Sequence, residues 1–242
     1  MVNQNTSANQ LLAALPAAEY GKLVSSLEKV SLESGQILYE PGEPIQDVYF
    51  PLRAVVSLVS IMENGATTEV GIVGSEGMVG LPILWGGQSM TSRAIVQIPD
   101  GAFRLTAEKL MEFAQPGTVL FKHLLLYTQA LFSQVSQTAA CNRQHTIEER
   151  LARWLLSAQD CVQQDELGLT QEFISNMLGI NRPGVTIAAG ILQRAGLIRY
   201  RRGRITILDR DELEAASCEC YSLVKTEYRR LNRLQKQGES LG

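Results

Sequence analysis

Between residues 35 and 105 the chain is cut into short β-branched or aromatic runs by turn residues, a rhythm that a helical bundle does not have. The runs at 36–40, 48–50, 55–62, 67–73 and 94–98 are separated by Pro41-Gly42-Glu43-Pro44, Asn64-Gly65, Gly74-Ser75-Glu76-Gly77 and Asp100-Gly101. Asn64-Gly65 predicts a hairpin, because both residue types tolerate positive φ. Strands this short and this numerous predict a sandwich or barrel of about 70 residues. Ahead of it, Leu11, Leu12 and Leu15 before Pro16, then Tyr20, Leu23, Val24 and Leu27, read as two short helices.

After Leu105 the period changes to that of helices. Residues 106–113 read as a short helix, and Pro116 as the start of a long one reaching about residue 140. Along it Leu120, Leu124, Tyr127, Leu131, Gln134 and Thr138 alternate spacings of four and three, the seam of two helices packed side by side. That stripe predicts a dimer helix, and the same residues also suit packing on the chain's own β domain. Phe121, Leu125 and Phe132 form a second apolar face. Thr146-Ile147-Glu148-Glu149 is a capping box that opens a new helix through Leu151, Trp154 and Leu155. Residues 141–145 are then a helix-to-helix junction placed to act as a hinge.

In the last hundred residues, Thr170 is positioned to cap a helix containing Phe173, Ile174, Met177 and Leu178, which Gly179 ends. Asn181 is positioned to cap a second, with Pro183 in its first turn, where a missing amide hydrogen is tolerated. Val185, Ala188, Ile191 and Leu192 face inward there, and Arg182, Thr186, Ile187, Gly190 and Gln193 face outward. Two short helices joined by Gly179-Ile180-Asn181 are a helix-turn-helix. Residues 197–207 follow as a hairpin wing turning at Arg202-Gly203. Gly190 costs its helix about 1 kcal/mol relative to alanine, which predicts close approach to DNA or to another helix.

Charge supports the same reading. The chain carries 22 Lys and Arg against 25 Asp and Glu, so its average gives no sign of a polyanionic partner. Residues 1–142 hold 7 basic and 12 acidic side chains, however, and residues 143–242 hold 15 and 13. From 173 to 208 there is no Asp or Glu, while Arg182, Arg194, Arg199, Arg201, Arg202 and Arg204 supply six positive charges. Such a surface faces a polyanion. Arg182 at the start of a recognition helix suits a guanine edge, Thr186 or Ile187 a thymine methyl, and the wing arginines Arg199, Arg201, Arg202 and Arg204 the phosphates. Thr170, Gln171, Asn181 and Pro183 complete the predicted DNA-binding set.

The order of these parts resembles the Crp/Fnr superfamily of bacterial transcription regulators over nearly the whole chain. Gly35-x-Ile37-Leu38-Tyr39-x-Pro41-Gly42-Glu43 is similar to that family's opening β-roll signature, and the run from Leu169-Thr170-Gln171 to Ile180-Asn181-Arg182 to its helix-turn-helix. The resemblance implies an α+β fold: an N-terminal cyclic-nucleotide-binding-like β-roll (1–115), a long dimerisation helix with Leu120, Leu124, Tyr127 and Leu131 at its contact and a hinge (116–145), and a C-terminal winged helix-turn-helix (146–242). It further implies a homodimer on double-stranded DNA, with recognition helices about 34 Å apart, RNA polymerase as a further partner, and an unidentified small-molecule effector. An effector pocket is expected around Gly80, Leu81, Ser92, Arg93, Val135 and Ser136.

The departures limit the effector. Cyclic-nucleotide-binding members hold the ribose with Glu in an F-G-E cassette and the phosphate with Arg in R-[ST]-A. Here the matching stretches are Val79-Gly80-Leu81 and Ser92-Arg93-Ala94. Leu81 accepts no hydrogen bond, and Arg93, displaced by one residue, points to the other face of its strand. Cyclic AMP is therefore not expected. Pro183 and Ile187 also replace two residues of the family's R-E-x-x-x-R recognition pattern, so the DNA sequence read is expected to differ.

No cofactor is expected: no cysteine precedes Cys141 to hold an iron–sulfur cluster, and His123 is the only axial haem candidate before it. Cys141, Cys161, Cys218 and Cys220 form no C-x-x-C pair, so their spacing predicts reduced thiols and no metal. Gly71-Ile72-Val73-Gly74-Ser75-Glu76-Gly77 looks phosphate-like but lacks the lysine of a phosphate loop and reads as a β-turn in the roll, and no catalytic motif is present. Residues 1–10 lack the pattern of an export leader and no apolar run spans a membrane, which predicts a cytoplasmic protein. The competing reading is a cyclic-nucleotide-type module that regulates a protein partner; the arginine-rich wing argues against it.

Overall fold

The computed structural model describes residues 9–237; residues 1–8 of the segment read above for a leader lie outside them. Helices α1 (Gln10–Ala13) and α2 (Ala17–Leu23) precede seven strands: β1 (Glu28–Leu32), β2 (Ile37–Tyr39), β3 (Asp47–Pro51), β4 (Val55–Ile61), β5 (Thr67–Val73), β6 (Arg93–Ile98) and β7 (Asp100–Thr106). They form two antiparallel sheets, ordered β1-β7-β3 and β2-β6-β4-β5. Leu32, Phe50 and Leu105 from one sheet meet Val56, Leu58 and Val96 from the other in a single core. The roll predicted from the strand rhythm is thus present.

Two local expectations are corrected. Asp100-Gly101 is not a separator but the start of β7, where the two residues pair with Leu32 and Ser31 of β1, while β3 joins the other side from Ala102 onward. Long-range pairing outweighs the weak strand preference of Asp and Gly. At the β4–β5 turn only Gly65 takes positive φ (80°), and Asn64 instead accepts a hydrogen bond from the Ala66 amide at 3.0 Å. The hairpin forms where predicted, through a longer loop.

Next come α3 (Ala107–Phe113), capped by Thr106, and α4 (Val119–Gln144), capped by Thr118 rather than starting at Pro116. Leu120, Leu124, Tyr127 and Leu131 of α4 are all buried in the roll's own core, and Gln134 accepts a 2.8 Å hydrogen bond from the Ile72 amide. The heptad-like stripe is therefore taken up within the chain. Residues this enclosed have no surface left for a second copy, while Leu125 and Phe132 on the opposite side remain 45% and 71% exposed.

The rest consists of α5 (Ile147–Val162), β8 (Glu166–Gly168), α6 (Gln171–Leu178), α7 (Arg182–Arg194), β9 (Ile198–Arg201), β10 (Arg204–Ile207), α8 (Arg210–Ala215) and α9 (Cys220–Gln237). The capping box forms as read: the Glu149 amide donates to the Thr146 hydroxyl, and the Thr146 amide donates to the Glu149 carboxylate at 2.8 Å. Residues 166–168, within a stretch read as a loop, add a third strand to the wing, ordered β8-β10-β9. This half docks on the roll, where Val55, Val59 and Ile72 share a core with Leu151, Leu155 and Ile174. Helix α9 lies along α4 and buries Tyr221 and Leu231. Among the described residues no helix is long and apolar enough to cross a membrane.

Candidate nucleic-acid interface and effector cavity

Each helix of the helix-turn-helix is fixed by a side-chain cap. The Phe173 amide donates to the Thr170 hydroxyl at 3.1 Å and the Gly184 amide to the Asn181 carbonyl oxygen at 2.9 Å, each satisfying an amide that no helical carbonyl reaches. Gly179 ends α6 with φ +63°, in the left-handed region that glycine enters without penalty. Ile174, Met177, Leu178, Val185, Ala188 and Leu192 lock the two helices together. Arg182, Pro183, Thr186 and Ile187 are left on the outer face of α7, with Ile187 62% exposed. The Thr186 hydroxyl donates to the Arg182 carbonyl at 3.1 Å.

The structure adds detail to the inward and outward assignments on α7. Gln193 is exposed, but its Oε1 accepts from the Tyr200 amide at 2.8 Å, so it braces the wing against α7. Ile191 is only half-buried, and Ala189 packs inward as well. Gly190 meets no other helix: a Cβ built there would touch only the Arg194 guanidinium, at 3.4 Å.

In the wing, Arg202 (φ +52°) and Gly203 (φ +74°) form a two-residue turn with positive φ at both positions, matching the right-handed twist of β9 and β10. A furrow of about 550 Å3 runs from the N-terminus of α6 across α7 to this turn, bringing Thr170, Gln171, Glu172, Arg182, Arg202 and Gly203 together. The acid-free tract is nevertheless not unopposed. Glu172, one residue before it, pairs with Arg182 at 2.5 Å, and Glu166 pairs with Arg204 at 2.5 Å. Both pairs are exposed, and exposed pairs contribute on the order of 1 kcal/mol or less, so a phosphate or base edge can displace the carboxylate. Arg199, Arg201 and Arg202 are exposed and have no ion-pair partner among the described residues.

The roll holds a cavity of about 790 Å3 between the β-sheet, the Leu81–Trp85 turn and α4. Of the expected pocket residues it is lined by Leu81, Ser92 and Val135. The other three lie elsewhere. Ser136 is exposed outside it, and Gly80 is buried where an added Cβ would meet Val48 at 2.8 Å and the Tyr39 hydroxyl at 3.1 Å. Arg93 forms a two-pronged pair with Glu40, at 2.9 Å through each nitrogen, consistent with its predicted turn to the other face. None of the lining residues carries a formal charge, and Trp85, Met90, Leu125, Leu131 and Phe132 make the wall largely apolar. Sequence spacing also missed a group that only the fold assembles: Cys141, His145, Cys218 and Cys220 converge at the end of α4.

A β-roll with a ligand-sized cavity, a long helix along its wall and a winged helix-turn-helix with an arginine-lined furrow make up a DNA-binding regulator. The chain belongs to the Crp/Fnr family of transcription regulators: residues 29–117 match the cyclic nucleotide-binding domain and residues 149–216 the Crp-like helix-turn-helix domain. The Global nitrogen regulator of Synechococcus elongatus is 26% identical over 215 residues, covering 83% of this chain and 94% of that protein. Among solved structures, FixK2 from Bradyrhizobium japonicum is similar with a TM-score of 0.67 at 18% identity, over 79% of this chain and 98% of that one. A CRP/FNR-family regulator from Thermus thermophilus is similar with a TM-score of 0.65 at 23% identity, over 81% and 98%.

Proposed function

We propose that the protein acts in the cytoplasm, without catalysis, as a homodimer on a roughly palindromic DNA site, with RNA polymerase as a downstream partner. The reading divides the chain into a sensor roll (1–115), a dimer helix with hinge (116–145) and a DNA-binding part (146–242). Arg182, Pro183, Thr186 and Ile187 read base edges, while Thr170, Gln171, Asn181, Arg199, Arg201, Arg202 and Arg204 hold the backbone. One observation carries this: the furrow joins the start of the recognition helix to the tip of the wing, so base and phosphate contacts are made by one rigid surface. Second copies meet through the side of α4 that carries the exposed Leu125 and Phe132 beside the half-buried Phe121.

The effector is a small, largely apolar or neutral molecule in the 790 Å3 cavity. A cyclic nucleotide is disfavoured, because its phosphate would enter a wall with no positive side chain, at a desolvation cost no arginine offsets. The test is the salt dependence of binding to promoter and random duplexes. Arg199, Arg201 and Arg202, the three wing arginines without an ion-pair partner among the described residues, supply two sets of phosphate contacts per dimer and predict a slope of about −5 in log K against log salt. A flat response would overturn DNA recognition and favour a module that acts on a protein partner.

A further inference from the structure

Four potential ligands from two distant segments meet at the hinge. Cys141 lies in the last turn of α4, His145 is its C-cap, Cys218 precedes α9 and Cys220 is its first residue. The Cys141 and Cys218 sulfurs are 3.5 Å apart, the Cys220 sulfur is 3.5 Å from His145 Nδ1, and all four ligand atoms lie within 4.8 Å of one another. We propose that Cys141, Cys218, Cys220 and His145 Nδ1 form a closed tetrahedral site for one thiophilic divalent cation, zinc, which clamps the end of the long helix to the start of the terminal one.

The spacing matches a single ion. Ligands about 2.3 Å from a tetrahedral zinc lie about 3.8 Å from one another, so an ion enters this group with little rearrangement. Iron–sulfur clusters place bridging sulfides between their irons and hold their thiolates farther apart. A disulfide would need a sulfur separation of about 2.0 Å, and would leave one cysteine and the histidine unexplained.

The surroundings support the same assignment. His145 Nε2 lies 3.1 Å from a Glu219 carboxylate oxygen. That contact keeps the proton on Nε2 and turns the Nδ1 lone pair toward the sulfurs, the arrangement by which a carboxylate orients a metal-bound imidazole. All three cysteines are buried, so no coordination position opens to solvent and the site is structural. Three thiolates and a neutral imidazole around a dication leave one net negative charge. Arg150 and Arg153 of α5, both buried, interact electrostatically with this group. The Nε atoms of both arginines have no hydrogen-bond partner among the described residues, while Arg150 Nη2 donates to the Leu178 carbonyl. Binding forms three zinc–sulfur bonds and one zinc–nitrogen bond, releases the thiol protons to solvent, and changes no oxidation state.

The test is elemental analysis of the full-length protein, purified under reducing conditions with zinc and dialysed against metal-free buffer. One zinc per chain is expected, and titration with cobalt in its place should give thiolate-to-cobalt charge transfer and the intense visible bands of a tetrahedral ion. Cys218→Ser should abolish stoichiometric binding. Glu219→Gln, at a position exposed enough to leave the fold intact by circular dichroism, should weaken zinc about 10- to 100-fold. Zinc content well below one per chain, content unchanged in both variants, iron with acid-labile sulfide, or a Cys141–Cys218 disulfide in the purified protein would each overturn the assignment.

Discussion

The indole nitrogen of Trp154 donates a 2.9 Å hydrogen bond to the buried carboxyl group of Glu69, joining α5 to β5 across the seam between the two halves of the chain. The other carboxyl oxygen accepts from the Ser57 hydroxyl at 2.5 Å. Burial raises the Glu69 pKa from 4.5 to about 7. A carboxyl whose folded pKa lies above its unfolded value adds stability below the unfolded pKa and loses it as pH rises through the folded one. Thermal stability is therefore expected to fall from about pH 5 to about pH 8, and Glu69→Gln to flatten that fall by on the order of 2 kcal/mol. Glu76, also raised by burial, acts with the same sign, so the variant isolates the part due to Glu69. Parallel melting curves for the two proteins across that range would remove Glu69 from the account.

Arg182→Ala should cost about 1–3 kcal/mol on the cognate site and relax its sequence preference, whereas Arg202→Ala should weaken all duplexes about equally. Fluorescence anisotropy on cognate and random DNA separates the two. The same loss on both DNAs for both variants would mean that the base and phosphate roles are wrongly assigned.

Gly179 carries two requirements at once. Its φ of +63° disfavours a side chain, and a Cβ there would lie 2.4 Å from the Thr68 hydroxyl on β5. Gly179→Ala should destabilise by about 1–2 kcal/mol from the backbone conformation alone, with the clash added. In the double variant with Thr68→Ala, urea denaturation should recover the clash and leave the backbone part. No recovery would mean that the turn does not press on the β4–β5 hairpin.

Phe132→Glu is expected to yield a folded monomer by analytical ultracentrifugation, since it charges the outer side of α4 without touching the core. Leu124→Glu should instead unfold the roll, because Leu124 is fully enclosed. A dimer that survives Phe132→Glu would place the contact elsewhere.

What the sequence made legible was local chemistry. Thr146 and Glu149, Gly179 and Asn181, and Arg202 and Gly203 mark their caps and turns within four residues, and each forms where read. Strands β1 and β8 escaped notice because their partners lie 76 and 38 residues away, at Glu28–Arg104 and Leu167–Ile205. The α4 stripe was ambiguous for a physical reason: the same heptad spacing serves a partner helix or a sheet. Glu166 and Glu172 stand just outside the acid-free tract, yet their side chains reach into it. The Cys141–His145 pair, one helical turn apart, and the Cys218–Cys220 pair were the visible trace of the thiol–imidazole cluster, but only the docking of α9 on α4 unites them.

Leu125 and Phe132 belong to two surfaces at once: they wall the mouth of the cavity and stand on the bare flank of α4. A sister subunit seated on that flank would roof the chamber, so a guest inside would be sealed by dimerisation, and its entry would require the pair to breathe.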